Sequence, residues 1–579
     1  MRAHQRLVVI SALIFPAVSK AWSLADFQLP FLTSAAGPGS GSQVVFESVQ
    51  AENAPLRIAI IGAGAGGSSA AYWISKAAER HERVVHVDVF EKSDYIGGRS
   101  TVVYPHDSKS LPSVELGASI FVEVNRNMMR AAKEFNLTLS TFESEADNVL
   151  GIWNGQQILI EVNNSGWWGW FDNVKMLWRY GYSSLRKTPK IVGSLIEAFK
   201  ELYTPSVATW PDLEELGVEL KYAHLSAQTA AEYMTSQGVG ELFIHEFVEA
   251  LTRVNYGQNS DEINALMGTV SMATDGAVGV LGGNFQVFEQ FLNHSDAKVH
   301  LNTKVTGLSF NPPPKAKWTL SVEHEGPPAD IPAYDHVIIA APFASSGITI
   351  LGSPKTETFL LTPPVEYVRL HVTLFTTIAP QPDPAYFNLP ASARVPAFIA
   401  TTHDGVRHNR KSSVIEVPEP EFNSLNYLYQ VKNVKEHGID EWAVKIFSKE
   451  TITDEWLAKV FGEGKVTWVH RKEWDAYPKA KPTTEFPPLK AAEGLWYVNA
   501  FEPFISTMET ETLSSRNIVD NIFEEEFAAG ICPPDAELEA KRVACAQSEI
   551  ECPALYEALA SKDGWGGTGA EGRIYGWDC

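Results

Sequence analysis

The sequence predicts an α/β chain in which a Rossmann-like parallel-sheet domain, built from three separated stretches, is interleaved with a second, α+β domain. Three observations predict it. A strand, a glycine-rich turn, a helix and a second strand follow one another between Arg57 and Arg99. Near-continuous apolar runs return at Val337 to Ala341 and at Leu495 to Val498. The stretches between these returns change from helical to strand-like periodicity. At 579 residues, with 45% hydrophobic and 20% charged, the chain is too long for one ordinary core, so two or three lobes are expected.

The first element runs Ile58, Ala59, Ile60, Ile61, breaks into Gly62, Gly64, Gly66 and Gly67, and continues as an alanine-rich helix to about Arg80. Gly62 permits the turn, Gly64 lets backbone approach a pyrophosphate, and Gly67 lets helix and strand pack closely. The helix N-terminus offers unpaired N–H groups to phosphates. A second strand, Val84 to Phe90, ends in Glu91 with Lys92 beside it, where a carboxylate can accept from ribose hydroxyls. A glycine-rich turn in another α/β fold is the bland alternative. The chain carries its own control, because Gly567 to Gly572 fits the same glycine spacing with neither strand before it nor helix after it. That copy reads as a flexible terminal loop.

Gly97-Gly98-Arg99 follows, a second bare backbone stretch with a cation, and then Glu115-Leu116-Gly117-Ala118-Ser119, small residues at a turn. Tight packing alone would also explain these glycines. Between Gly166 and Tyr182 stand Trp167, Trp168, Trp170, Phe171, Trp178, Tyr180 and Tyr182. Core or inter-domain packing is the expectation for such a cluster, and a lipid-facing surface is the alternative. Helical periodicity continues from Lys190 to Tyr203 and from Ala227 to Leu251.

From Lys298 the pattern turns to strands: Val299 to Val305 running into Leu308 to Phe310, then Trp318 to Val322 and Val337 to Ala341. A later excursion mixes a strand at Tyr367 to Phe375 with a helix at Asp454 to Phe461. The chain returns at Gly494 to Asn499 and ends this part with a helix from Ser506 to about Phe527.

The ends speak to compartment. Arg2 and Arg6, the apolar run Leu7 to Val18 and small residues near Ser19, Ala21 and Ser23 have the form of a secretory signal. That run is too short to span a bilayer. All four cysteines, Cys532, Cys545, Cys552 and Cys579, lie in the last fifty residues and read as two disulfides with three possible pairings. Asn136, Asn163 and Asn293 open glycosylation sequons. A lysosome, a vacuole or the extracellular space is therefore the expected destination. The net charge of −23 argues against a nucleic-acid partner. The histidines are scattered without ligand spacing, so no metal site is expected.

This order of elements resembles the FAD-dependent amine-oxidase-like flavoproteins. More narrowly, Arg253-Val254-Asn255-Tyr256-Gly257-Gln258, Gly282-Gly283-Asn284, Lys445 to Thr451 and Trp474 to Pro478 look like the prenylcysteine oxidases, also called prenylcysteine lyases. The resemblance covers about residues 55 to 525. It implies a Rossmann-like FAD-binding domain interleaved with an α+β substrate domain. The implied activity is cleavage of the thioether of S-farnesyl- or S-geranylgeranyl-cysteine, with O2 as acceptor, to cysteine, a prenyl aldehyde and hydrogen peroxide. By the same match Gly98 and Arg99 lie near the phosphates or ribityl, Gly117 and Ala118 border the cofactor, and Val305 meets the adenine through its backbone. Met508, Glu509 and Thr510 open the helix aimed at the flavin. Arg253, Asn255 and Tyr256 are candidates for substrate contact, or equally for holding the insertion onto the cofactor domain. No side chain is assigned as catalytic, because an allylic thioether carbon that gives up hydride needs no protein nucleophile.

The implied layout is a signal peptide (1–21), a leader (22–54), FAD-binding segments (55–145, 265–345, 490–527), a mostly helical substrate-domain insertion (146–264), a second substrate-domain segment (346–489) and a cysteine-bearing tail (528–579) outside the resemblance. The rivals are another secreted flavin oxidase of an amine or amino acid, and a binding protein that keeps the fold without turnover. No transmembrane anchor is expected, and contact with a membrane surface stays open.

Overall fold

The computed structural model describes residues 55–141, 149–163, 169–311, 317–324, 331–352, 359, 364–402, 406–407, 414–415, 419–432, 438–533 and 573–579. The leader, the second glycine-spaced loop, Cys545 and Cys552 lie outside the described residues.

A six-stranded sheet carries the cofactor-type loop. Its order is Lys490–Ala492, Leu495–Tyr497, His336–Ile339, Leu56–Ile61, Val85–Phe90 and Lys298–His300. All neighbours run parallel except the edge pair Lys490–Ala492 and Leu495–Tyr497. The central strands are apolar because both faces are covered: Ile60 lies opposite Ile338 on one side and Val89 on the other, and all three are fully buried. Three far-separated returns of the chain thus build one sheet. The helices Ala65–Arg80 and Met508–Phe527 pack together on it, and the indole of Trp73 donates to the carbonyl of Thr512 at 3.2 Å.

A seven-stranded sheet takes strands from both excursions, in the order Val466–Pro478, Tyr367–Thr377, Glu441–Ser448, Ser424–Val431, Phe398–Thr401, Val149–Trp153 and Ile158–Asn163. It is antiparallel apart from the join of Phe398–Thr401 with Val149–Trp153.

Three expectations are corrected. The run from Val299 is not one strand: Lys298–His300 ends the large sheet, Asn302 turns with φ +51°, and Thr303–Asn311 enters a separate three-stranded sheet. Helical periodicity from Ala227 is interrupted at Gly238 (φ +73°), so Ala230–Ser236 and Glu249–Tyr256 are separate helices. The aromatic cluster divides: Tyr180 is buried, but Trp178 and Tyr182 on the helix Gly169–Phe199 face outward. The side chains of Trp167, Trp168, Trp170 and Phe171 lie outside the described residues.

The C-terminal residues are part of the fold. Cys532 pairs with Cys579, Cα to Cα 5.2 Å across 47 residues of chain. Trp577 packs on Tyr72 and Trp73, Arg80 donates to the carbonyl of Gly576 (2.8 Å), and the Tyr575 hydroxyl donates to Asp520 (2.7 Å). The end of the chain thereby straps the first helix to the last.

Candidate active site

The glycine loop is shaped by clashes that any side chain would cause. Gly62 sits at φ +107°, and a Cβ there would lie 2.5 Å from the carbonyl oxygen of Ala340. A Cβ on Gly67 would lie 1.8 Å from the oxygen of Gly62. Gly64 caps the helix Ala65–Arg80 with no side-chain cap and no acid in the first turn, so the N–H groups there are left for an anion. Gly98 (φ +60°) faces it: a Cβ on Gly98 would stand 3.2 Å from the Gly64 Cα, and Gly97 donates to the carbonyl of Ala63 at 3.0 Å. Gly66 looks the other way. Its missing Cβ makes room for Val498 and the Glu511 carboxylate, and its carbonyl accepts from Ser515.

The Glu91 carboxylate is fixed by two backbone N–H groups. One carboxylate oxygen accepts from Ala63 N (2.9 Å) and the other from Ser93 N (2.8 Å), so the group is oriented while lone pairs remain. Lys92 is exposed, and Val305 is buried in the strand Thr303–Asn311. In the next turn a Cβ on Gly117 would lie 2.8 Å from the Trp474 ring, and Ala118 adopts φ +49° with its carbonyl accepting from Asn284 (2.8 Å).

Two buried polar clusters border this loop; the sequence singled out Arg99, and held Glu115 and Lys445 inside motifs, but missed Glu502, Tyr367 and Glu511. In the first, Arg99 pairs with Glu502, whose other oxygen accepts from the Tyr367 hydroxyl. Burial pulls the Arg99 guanidinium down, and Glu502 followed by Tyr367 and Glu511 more than reverse it. Glu511, in the first turn of the final helix, keeps one oxygen without a partner among the described residues. Burial, reinforced by Glu502, pushes its carboxyl well above the usual range, so it favours the protonated form. In the second cluster Lys445 donates to the Glu115 carbonyl (3.0 Å) and the Ser119 hydroxyl (3.3 Å). Burial brings the Lys445 ammonium down to about 8 and raises the Glu115 carboxyl to about 8, with Asn284 and Lys445 opposing the latter. Lys445 stood inside a motif; the carboxylates Glu502 and Glu511 gave no signal, because buried acids look like surface acids until partners are known.

The final helix is capped reciprocally by Thr507 and Thr510, which fixes its N-terminus. Glu509 points away from that end, accepting from Asn127 N (2.8 Å), Met128 N (2.9 Å) and Tyr203. Burial raises it to about 7 against these hydrogen bonds.

The helix Glu249–Tyr256 carries Arg253, Asn255 and Tyr256 to three different neighbours. Arg253 is fully buried, donating to Thr401 (3.1 Å) and, through Nη1, to Asn259 and Glu419 (both 2.9 Å), while Nη2 has no partner among the described residues. Asn255 donates to the carbonyls of Leu251 and Ser271. Tyr256 donates to Ser506 and packs edge-on against Tyr477. Asn423, whose amide nitrogen would lie 3.5 Å from a Cβ on Gly257, also has both terminal atoms unpartnered among the described residues.

The family model for prenylcysteine lyase matches residues 163–529, well over half of the chain. The chain belongs to the prenylcysteine lyase family. A second model, an NAD(P)-binding Rossmann-like domain, matches 60–135 and so contains the glycine loop, Glu91 and the Gly97–Arg99 turn. Among relatives, the farnesylcysteine lyase of Arabidopsis thaliana is 28% identical over 486 residues, 81% of this chain and 88% of its own. Prenylcysteine oxidase 1 of Homo sapiens is 28% identical over 497 residues, 81% of this chain and 89% of its own. Cyclohexylamine oxidase from Brevibacterium oxydans shares the fold, with a TM-score of 0.51 at 14% identity over 82% of this chain and 99% of that one.

Within the prenylcysteine lyase match fall the helix Glu249–Tyr256, Lys445 and the final helix up to Phe527. The strap Arg573–Cys579 lies beyond it. Asn136 and Asn293 are exposed, and the side chain of Asn163 lies outside the described residues.

Proposed function

We propose that this protein is an FAD-dependent thioether oxidase that cleaves S-prenyl-L-cysteine to cysteine, a prenyl aldehyde and hydrogen peroxide, with O2 as final acceptor. The observation that carries the reading is the family match spanning a helix, Glu249–Tyr256, that is hydrogen-bonded to the threshold of the final helix beside the glycine loop. The residues suit FAD on their own geometry. The bare backbones of Gly64 and Gly98 face one another where a pyrophosphate needs close approach, and Glu91 is oriented for a ribose. Gly62 and Gly67 hold the turn, Arg99 brings a cation alongside, and the N-terminus at Thr507–Thr510 offers a positive dipole end to the flavin ring.

FAD, when bound, supplies a two-electron acceptor at the end of this cradle. The substrate carbon that is both allylic and bonded to sulfur is the one that gives up hydride readily, since sulfur and the double bond share the developing positive charge. Water adds at that carbon, and the hemithioacetal releases thiol and aldehyde. The chain must hold the carbon still, wall off the prenyl tail and admit one water. Apolar walls also supply affinity, at ~25 cal/mol per Å² of tail surface buried. For the amino-acid end, we assign Arg253 Nη2 and the Asn423 amide, buried groups with unmet hydrogen-bonding capacity, as the contacts. Asn255 has its amide donors engaged by two carbonyls, so its part in this reading is to position the helix.

The test is anaerobic mixing with S-farnesylcysteine while the flavin absorption is followed. Bleaching, then free thiol and aldehyde, is expected. A band left unchanged by the thioether but bleached by an amine or amino acid would replace this reading with the amine-oxidase one. The expected setting is a lysosomal, vacuolar or extracellular space, supported by the leader-like N-terminus and the Cys532–Cys579 bridge.

A further inference from the structure

The helix Gly169–Phe199 carries an apolar face that the fold leaves uncovered. Val174, Leu177 and Trp178, at spacings of three and four, are 51%, 43% and 85% exposed, and Tyr182, just past a kink at Gly181, is 65% exposed. The opposite face is firmly held. Met176 and Tyr180 are buried, and Arg179 makes two 2.7 Å hydrogen bonds to Glu246, which also accepts from the Tyr180 hydroxyl. The outward rings are therefore not the result of a loosely packed helix. Nor is this a chain that struggles to bury tryptophan: Trp73, Trp153, Trp210, Trp318 and Trp496 are all buried.

Charge separates this face from the rest of the protein. In a chain of net charge −23, residues 174–196 contain Lys175, Arg179, Arg186, Lys187 and Lys190 and neither Asp nor Glu. Arg179 is spent on Glu246, but Arg186, Lys187 and Lys190 form no ion pair among the described residues. Arg186 lies over the Tyr182 ring at 5.9 Å. No helix among the described residues is long and apolar enough to cross a membrane, so the pattern is that of a helix lying in an interface, with aromatic side chains toward the acyl boundary and cations at the headgroups.

We propose that Val174, Leu177, Trp178 and Tyr182, with Arg186 and Lys187 behind them, dock this protein on the surface of an anionic lipid bilayer. A chain of net charge −23 is repelled on average from such a surface, so the basic aromatic face also sets its orientation. The docking is independent of the turnover proposed above, because it is measured as binding.

The experiment is sedimentation of the full-length protein with vesicles of phosphatidylcholine containing roughly 30% phosphatidylserine, against phosphatidylcholine alone. Binding to the anionic vesicles, weakened by salt, is expected. The double variant W178S/Y182S should lower the partition about tenfold, and R186E/K187E/K190E about a hundredfold, with melting and flavin content unchanged because these side chains face outward. Three results would overturn the proposal: protein left in the supernatant with both vesicles, variants that bind like the parent, or a dimer in sedimentation velocity without lipid that W178S/Y182S disperses, which would make the face a self-association surface. None of these results bears on thioether cleavage assayed with soluble substrate.

Discussion

The Tyr256 hydroxyl donates to the carbonyl of Ser506 at 3.3 Å, joining the helix that carries Arg253, Asn255 and Tyr256 to the residue before the cap of the final helix. One hydrogen bond links the layer assigned to substrate with the helix end assigned to flavin.

Y256F removes that bond and leaves the ring on Tyr477. A stability loss of about 1 kcal/mol is expected. If the bond positions the two helices for chemistry, kcat falls several-fold with flavin content unchanged; a loss in melting temperature alone would confine the bond to folding.

Gly67 gives the sharpest test of the cofactor loop. A Cβ there collides with the Gly62 oxygen at 1.8 Å, so G67A should yield protein without bound flavin, or none that is soluble. Gly193 is the control. It lies inside the helix Gly169–Phe199 with no atom within 4 Å of the missing Cβ, so G193A should retain the yellow colour and gain about 0.5–1 kcal/mol.

The loop was legible in sequence because its glycines are spaced by what the backbone must do, and Gly62, Gly64 and Gly67 each meet a steric demand visible in the fold. The acids around it were not legible. Arg99 and Glu502 are 403 residues apart in sequence, and Glu115 and Lys445 are 330 apart, so nothing local marks them as partners. Alternation alone could not show that the run from Val299 changes sheets at Asn302, since both halves are strands. The outward turn of Trp178 was hidden for a related reason: hydrophobicity reports a face, and only packing tells whether the face is covered.

The strap formed by residues 573–579 should be worth measuring by calorimetry. A bridge closing a loop of 47 residues limits the unfolded chain by about 4 kcal/mol in the chain-entropy model. C579S should therefore lower the melting temperature under oxidising conditions, and reductant should lower the parent toward the variant. Because Trp577 and Tyr575 pack on the first and last helices, a chain ending at residue 572 should fall further than C579S. Equal melting of all three would show that the strap contributes nothing.

Glu115 predicts an unusual pH dependence of stability. Its folded carboxyl is raised by burial to about 8, above the ordinary value of 4.5, so the fold prefers it protonated. The associated stability is fully present below about pH 4.5 and is lost as pH rises through about 8, at ~1.4 kcal/mol for each pKa unit displaced. Glu509, raised to about 7, adds in the same direction over the lower part of that window. Lys445 has the opposite displacement, but its folded value of about 8 and ordinary value of 10.5 put its effect at higher pH, where stability falls as pH drops from 10.5 through 8. Between about pH 5 and pH 7.5 Glu115 and Glu509, joined by Glu511 whose carboxyl burial also raises, are opposed by His470, whose imidazole burial pulls below its ordinary 6.5. The three acids outweigh the one imidazole, and the protein should melt several degrees lower at the upper end. E115Q keeps an uncharged side chain of the same shape at all pH values, so its melting temperature should vary less across that interval and exceed the parent's near pH 7.5. A parent whose stability rises with pH over this range, or an E115Q curve parallel to it, would show that Glu115 is charged in the fold and that Lys445 offsets its burial.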